Sequence, residues 1–429
     1  MNLPGDHFRR VELNDEVHAR PPEALRAPAR ISCLALILDG AGREREFSVL
    51  TDLAAAIEAP PPSPHGNHFS VDLGAFRLKW ERHTEFSRYM FIVEGGTDDP
   101  FTETALDRVP PAFLSSLQGE LIAAAHMALV PAREPKLSLE ELSLGAFDGN
   151  ALIGSEIGDG AATAFTDFRI HRDRFSRFLI EDRSLTPRQA GRLVQRLFEI
   201  DLYKTMALLA FPVARELVPL LGVSERELAA ITTNLADAGD TDENALLDRL
   251  TRLEAEIERR GAANQFRFGA AIAYFELVQR RIGELREERI QGLQTFDEFI
   301  ARRLAPAMNT CTSAVARQET LSGRVARATQ LLSTRVALTQ ARQSQKLLQS
   351  MDRRARMQLR LQETVEGLSI AAVTYYVVGL LGYAAKGLKP LGFRLDPEVA
   401  MAFSIPVVLV LAALGIRHIR RGVARDADP

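Results

Sequence analysis

GLSIAAVTYYVVGLLGYAA, the run from Gly367 to Ala385, decides how this chain is read. Its 19 consecutive residues carry no charge, enough at 1.5 Å per helical residue to cross the hydrocarbon layer of a bilayer. A second run of 18, VAMAFSIPVVLVLAALGI, extends from Val399 to Ile416. Charges bracket both, Glu366 and Lys386 around the first and Glu398 and Arg417 around the second. Tyr383, Phe393 and Phe403 fall at interface depth. The pair predicts a transmembrane hairpin; the alternative is a buried helical hairpin in a globular core. Orientation follows from Lys and Arg, which accumulate on the cytoplasmic side. Arg353, Arg354, Arg356 and Arg360 precede the first run and Arg417, Arg420, Arg421 and Arg425 follow the second, eight against the loop's three, Lys386, Lys389 and Arg394. Both termini are therefore expected in the cytoplasm. The arginines at the ends, notably Arg353, Arg354, Arg356, Arg417, Arg420 and Arg421, read either as topogenic anchors or as contacts for anionic lipid head groups.

Upstream, 43 residues between Gly323 and Gly367 contain neither Gly nor Pro and are rich in Ala, Leu, Arg and Gln. They predict one helix of roughly 65 Å leading into the membrane. Leu321, Val325, Ala328, Leu332 and Val336 form a narrow apolar stripe, resumed at Met357, Leu361, Val365 and Leu368. So narrow a stripe suits a coiled-coil seam better than a globular core. From Val315 to Glu366, Lys and Arg outnumber Asp and Glu ten to four, so this helix is locally basic.

Before it, Thr186-Pro187 opens a helix continuing to about Leu217, Ser224-Glu-Arg-Glu227 fits a capping box opening another, Asp242–Arg260 is an amphipathic helix, and 262–304 holds one or two more. Everything from 186 onward reads as helical. Residues 1–182 differ, with short apolar runs set among Gly, Pro and Asp. Ile31–Asp39 is a buried-strand candidate; Phe69–Trp80 and Ser87–Glu94 suggest a hairpin; Ala151–Ile157, Ala162–Ile170 and Phe175–Glu181 suggest further strands. Glu44–Ala59 and Pro111–Val130 read as helices, and Pro60–Pro64 as a loop. Phe86-Ser-Arg-Tyr-Met-Phe-Ile echoes Phe175-Ser-Arg-Phe-Leu-Ile, which hints at a duplicated unit.

The expected fold is thus α+β. A cytoplasmic α/β domain (1–182) is followed by a helical region (183–310), a long helix (311–366), a transmembrane hairpin (367–416, spans 367–385 and 399–416) and a basic tail (417–429).

Composition bounds what this assembly does. The 429 residues are 46% hydrophobic and 25% charged with a net charge of -3, and the mean hydropathy is -0.07. Those averages exclude dominant disorder and a polytopic transporter, and a near-neutral balance argues against nucleic acid as a partner. Two cysteines, Cys33 and Cys311, cannot form a disulfide scaffold or a four-cysteine zinc site, and a reducing compartment is the simpler reading. The first ten residues lack the apolar core of a secretory signal, so the body is expected to stay in the cytoplasm.

Leu13-Asn-Asp-Glu-Val-His-Ala-Arg-Pro-Pro22, Lys79-Trp-Glu-Arg-His-Thr-Glu-Phe-Ser-Arg88 and Val365-Glu-Gly-Leu-Ser369 resemble segments of a bacterial family catalogued as domain of unknown function 3422. The resemblance covers nearly the whole chain and implies a membrane-anchored protein of the bacterial inner membrane. It transfers no activity to particular residues. The architecture is also similar to that of CorA-type magnesium channels, which are pentamers, and that likeness implies a homo-oligomeric ring. Two departures count against magnesium selectivity: the first span ends in Gly379-Leu-Leu-Gly-Tyr383 where that family has Gly-Met-Asn, and Lys386, Lys389 and Arg394 outnumber Asp396 and Glu398 in the outer loop.

Catalytic chemistry is hard to find. There is no Gly-rich phosphate loop ending in Lys-Ser/Thr, no HExxH and no Gly-x-Ser-x-Gly, and no cofactor can be named. Glu16, His18 and Arg20 concentrate acid, imidazole and guanidinium in a string that could hold a metal or phosphate, or could equally be capping and surface pairing. His83 and Glu85, at a strand end, would share a face by alternation and suit acid–base or metal work, or a cross-strand polar contact. His65-Gly-Asn-His68 has ligand-like spacing without a carboxylate nearby. His7, His126 and His171 stand apart, and Cys33 reads as a core residue. In the first span Ser369, Ala372, Tyr376 and Gly379 recur at helical spacing as a small or polar face, suited to a pore lining, to self-association, or to packing within one hairpin.

Three functions are compatible with this reading. They are a CorA-like oligomer that moves ions, an anchored module that binds a ligand through the segments around His18 and His83, and a membrane-bound enzyme using the same residues.

Overall fold

A computed structural model describes residues 5–11, 13–14, 21–56, 58–63, 66–96, 99–133, 137–236, 242–388 and 396–425. The chain divides into two compact units, Met1–Thr329 and Gln330–Pro429.

A nine-stranded sheet organises the first unit. Its strands are β1 (Ala29–Ile37), β2 (His68–Asp72), β3 (Arg77–Arg82), β4 (Phe86–Glu94), β5 (Glu120–Pro131), β6 (Ile153–Ile157), β7 (Ala162–Thr166), β8 (Ser176–Asp182) and β9 (Glu287–Arg289). They lie in the order β2-β3-β4-β1-β5-β8-β7-β6-β9, and β5 with β8 is the parallel pair in an otherwise antiparallel sheet. Helices α1 (Gly40–Ala55), α2 (Pro111–Ser116) and α3 (Leu139–Ala146) connect strands. After β8 come α4 (Pro187–Leu208), α5 (Ala210–Ala236), α6 (Glu243–Leu285), α7 (Phe296–Arg303), α8 (Ala305–Leu388) and α9 (Pro397–Arg425). The class is α+β, as the sequence predicts.

Strand alternation sorts side chains onto two faces. Tyr89 and Phe91 of β4 join Leu34, Trp80 and Leu50 of α1 in one core. On the same face Ala128, Phe165 and Leu179 pack with Leu142 and Phe147 beside α3. The opposite face, where Arg88 and Ser176 point, is covered by α4, whose Leu193, Val194, Leu197, Phe198, Ile200 and Leu202 are all buried. Gly191 of α4 is required by a backbone approach: a Cβ there would lie 1.6 Å from the carbonyl oxygen of Glu23.

Several elements differ from expectation. Pro111–Val130 is not one helix, because α2 ends at Ser116 and Glu120–Pro131 is the central strand β5. Its alanines suit either element, and burial between β1 and β8 decides for strand. Phe69–Trp80 is two strands, turned at Gly74 with φ +76°. Ser224 opens no helix; it is buried inside the continuous α5. Asp242–Leu304 is not a string of short helices, since α6 runs unbroken through Gly261, where a Cβ would come within 2.8 Å of the Gln318 side chain of α8. Nor is the chain wholly helical after 186, because Arg286, at φ +49°, ends α6 and lets β9 pair with β6. The echo at Phe86 and Phe175 falls on the starts of β4 and β8. These strands meet their central neighbours in opposite senses, β1–β4 antiparallel and β5–β8 parallel, so the two halves are not copies.

In the second unit, no side chain of α8 from Thr334 to Val365 is buried. Further on, Thr374, Val378, Gly382 and Ala385 turn inward, and Met401 of α9 sits against Gly382, whose Cβ would come within 2.4 Å of the Met401 sulfur. Two helical stretches are long and apolar enough to cross a membrane, Pro187–Leu235 and Ala305–Gly387, and Met401–Ile416 is a shorter apolar helix. A third of the apolar window of Pro187–Leu235 is buried, with Met206, Ala210, Ala214, Leu217 and Leu221 turned into the core, against 17% for Ala305–Gly387. The corresponding residues of α8, including Tyr375, Tyr376 and Leu380, are exposed.

Candidate functional site

The strings Leu13–Pro22 and Lys79–Arg88 lie more than fifty residues apart, and folding joins them. Lys79 Nζ donates to the carbonyl oxygen of Pro21 at 2.6 Å. One residue further on, the Glu23 carboxylate accepts from Ser70 Oγ at 2.8 Å and from Arg77 at 3.2 Å, clamping the amino-terminal segment onto β2 and β3. This chain matches the family described as Protein of unknown function (DUF3422) over residues 5–423. The chain belongs to that family. Comparison with curated proteins gives no match.

In this DUF3422 protein the second string opens a buried ionic chain. Glu81 pairs with Lys79 at 3.0 Å and with Arg88 across β3 and β4. Arg88 reaches Glu199 of α4 at 3.1 Å, and Glu199 also pairs with Arg281 of α6, which pairs with Glu284 at 3.0 Å. Burial alone would push the Glu199 carboxyl upward; Arg88 and Arg281 outweigh it and hold the group below its usual range. Cys33, on the strand beside this chain, is buried, and burial pushes its thiol up to about 12, which suits a core residue. These charges tie sheet to helices. They are engaged with each other, which suits a structural role.

His83 and Glu85 sit in the β3–β4 turn, where strand alternation no longer places them. Glu85 pairs with Arg267 of α6 at 2.7 Å, and His83 stacks on Phe86 with ring centroids 4.6 Å apart. Burial and then Glu85 push the Tyr274 hydroxyl well above its ordinary range. Glu16, His18, Arg20 and His65 lie outside the described residues; His68 is exposed on β2. Among the described residues, no group of three His, Cys, Asp or Glu side chains is arranged to hold a metal ion.

A cluster the sequence reading passed over surrounds His171. Its Nδ1 is hydrogen-bonded with Asp148 at 2.9 Å, and its Nε2 lies 2.9 Å from Asp167 without forming a hydrogen bond. Asn150 also donates to Asp167 at 2.9 Å, and Arg177 lies over the Phe101 ring, 3.6 Å from Asp148 and from Asp173. The hydrogen bond from His171 holds the Asp148 carboxyl below its usual range. Positive φ values at Asp148 (52°), Phe168 (51°) and Arg174 (74°) fall in the same loops, where stacking of Phe168 on Phe299 at 4.8 Å helps to hold a backbone that a bulky side chain disfavours. The density of charge in Asp167-Phe-Arg-Ile-His-Arg-Asp-Arg174 was the available signal. Nearby, a cavity of about 240 Å³ is lined by Asp99, Arg133, Glu141, Leu142, Leu179 and Glu181.

In the second unit the residues expected to form one face remain open. Ser369, Ala372 and Tyr376 are exposed and Gly379 is half-buried, whereas the hairpin contact uses Thr374, Val378 and Gly382 instead. Ser369 borders a groove of about 480 Å³ that it shares with Ile416 of α9. Tyr376 and Gly379 line a larger cavity of about 910 Å³ with Met401 and Ile405. Arg353, Arg354 and Arg356 are exposed on α8. Arg417, Arg420 and Arg421 lie on α9, within Pro397–Arg425.

Proposed function

We propose that this protein is a homo-oligomer of the bacterial inner membrane in which the α8 helices of several copies meet, and that ions move along the face where their first spans come together. The observation carrying this reading is the exposure of Leu347, Met351, Leu361 and Val365, between 56% and 67%. A helix left alone in water gains nothing from such residues, and exposed apolar side chains aligned on one face suit a docking surface. Leu347, Met351, Arg354, Gln358, Leu361, Val365, Leu368 and Ala372 keep an alternating four-three spacing, the period of a helix seam. That ladder runs directly into the face at Ser369, Ala372, Tyr376 and Gly379, so one partner helix would satisfy both.

The excess of arginines outside the two apolar runs supports an orientation with both termini in the cytoplasm. A sheet body, a very long helix, a short outer loop and a second apolar helix support a CorA-like plan, without that family's Gly-Met-Asn and therefore without its ion. The purified chain in detergent, weighed by light scattering, and the same protein in liposomes, assayed for salt flux, test the reading. A stable monomer that conducts nothing would sink it. The alternative, an anchored ligand-binding module using the segments around His18 and His83, has a cavity beside Asp99 and Glu181 in the same unit and predicts specific ligand binding without flux.

A further inference from the structure

We infer that the ion moved is an anion, which rests on the preceding reading that the first span lines the path. The cavity of about 910 Å³ is lined on the α8 side by Thr374, Tyr376, Gly379, Tyr383 and Lys386, and among the described residues of its wall Lys386 alone carries a formal charge. From Gly367 to Leu388 the sequence contains no Asp or Glu.

What this wall can offer an ion follows from its donors and acceptors. A cation leaving water needs carboxylates or free carbonyls, but the main-chain carbonyls of a continuous helix are already bonded within it. The Thr374 hydroxyl is turned back on the carbonyl of Ile370 at 2.8 Å. Tyr376 and Tyr383, 70% and 75% exposed, carry O–H groups, and Lys386 carries an ammonium. Lys386 presents only hydrogens, which solvate an anion and repel a cation, and the two phenols can turn their O–H groups toward an anion as well. Several copies around one axis would multiply this effect, since each adds its own Lys386 at the outer end. At the other end Glu366 adjoins the run, and Arg354 stands further back along α8 on the four-three ladder, while Arg356 is paired with Asp352 at 2.7 Å. The cationic entrance is therefore the outer one, where Lys386 raises the local concentration of anions.

The test uses the full chain in liposomes under a potassium chloride gradient, with reversal potential as the readout. Wild type is expected to pass chloride over potassium by roughly tenfold or more, the ratio set by about 1.4 kcal/mol of difference. Lys386→Glu is expected to invert the preference. Lys386→Gln, which adds no carboxylate and guards against failed assembly, is expected to reduce it several-fold without inversion. A potassium-selective current that Lys386→Glu leaves unchanged overturns the anion assignment while conduction stands. The absence of current with any salt overturns conduction and the assignment together. Lys386-dependent retention of anionic phospholipid in native mass spectra, without chloride flux, also overturns it and gives Lys386 to a lipid head group.

Discussion

The indole Nε1 of Trp80 donates to Oε1 of Glu46 at 2.9 Å, with both residues almost fully buried. The same carboxylate accepts from the Tyr89 hydroxyl at 2.6 Å and from Ser87 Oγ at 2.9 Å, and it pairs with Arg82 at 3.2 Å. One acidic side chain from α1 thus organises the polar groups on β3 and β4. Burial, with Glu46 alongside, pushes the Tyr89 hydroxyl far above its ordinary range.

Glu46→Ala should therefore be among the most damaging single changes in the first unit. It strands three buried donors and a guanidinium, and a loss of about 3–5 kcal/mol is expected. Trp80 is the single tryptophan of the chain, so urea denaturation followed by its fluorescence reads the loss directly. An unchanged midpoint would mean that the donors find other acceptors.

Gly191→Ala places a Cβ where the backbone of Glu23 lies, and neither backbone can give way cheaply. The substitution should lift the Pro21–Leu25 segment, breaking the bond from Leu25 N to the Pro187 carbonyl, at a cost of about 1–3 kcal/mol. Hydrogen exchange at residues 21–25 should accelerate while exchange in β5 stays slow.

His126 gives the first unit a pH dependence. Its Nδ1 lies 2.8 Å from Ser32 Oγ, its ring stacks on Phe175 at 3.9 Å, and burial lowers its pKa to about 4 from an ordinary 6.5. As pH falls below 6.5 the unfolded chain takes up this proton before the folded one does. Stability is therefore lost between pH 6.5 and 4, by about 3 kcal/mol in all, with no further loss from this group below 4. Comparing denaturation midpoints at pH 7 and 4.5 for wild type and His126→Gln isolates the effect: the variant should lose about 2–3 kcal/mol less.

Leu361→Lys with Val365→Lys should leave the first unit untouched and abolish the self-association proposed above, because both side chains stand exposed on the four-three ladder of α8. Sedimentation in detergent is expected to show a shift to monomer, with far-ultraviolet circular dichroism unchanged. An oligomer that survives both changes would place the contact elsewhere.

Periodicity and composition determined a good deal by themselves. The apolar run from Gly367, the Gly- and Pro-free stretch before it and the capped start at Thr186 all carry local signals, because a helix satisfies its backbone within its own segment and a spanning helix needs only length and apolarity. Strands carry weaker local signals. Ala123–Ala125 could not be told from helix, since only the neighbours β1 and β8 supply the backbone partners that make it strand. The candidate sites divide in the same way. The face at Ser369, Ala372, Tyr376 and Gly379 was visible as spacing, whereas its exposure depended on the hairpin packing through Thr374, Val378 and Gly382. His171 read as isolated because Asp148 reaches it from another loop, although Asp167 stands only four residues before it, and Glu46 gave no signal because its donors lie more than thirty residues away. Tertiary structure alone decided these, because the energy of a buried polar group depends on which distant partners the fold brings within hydrogen-bonding distance.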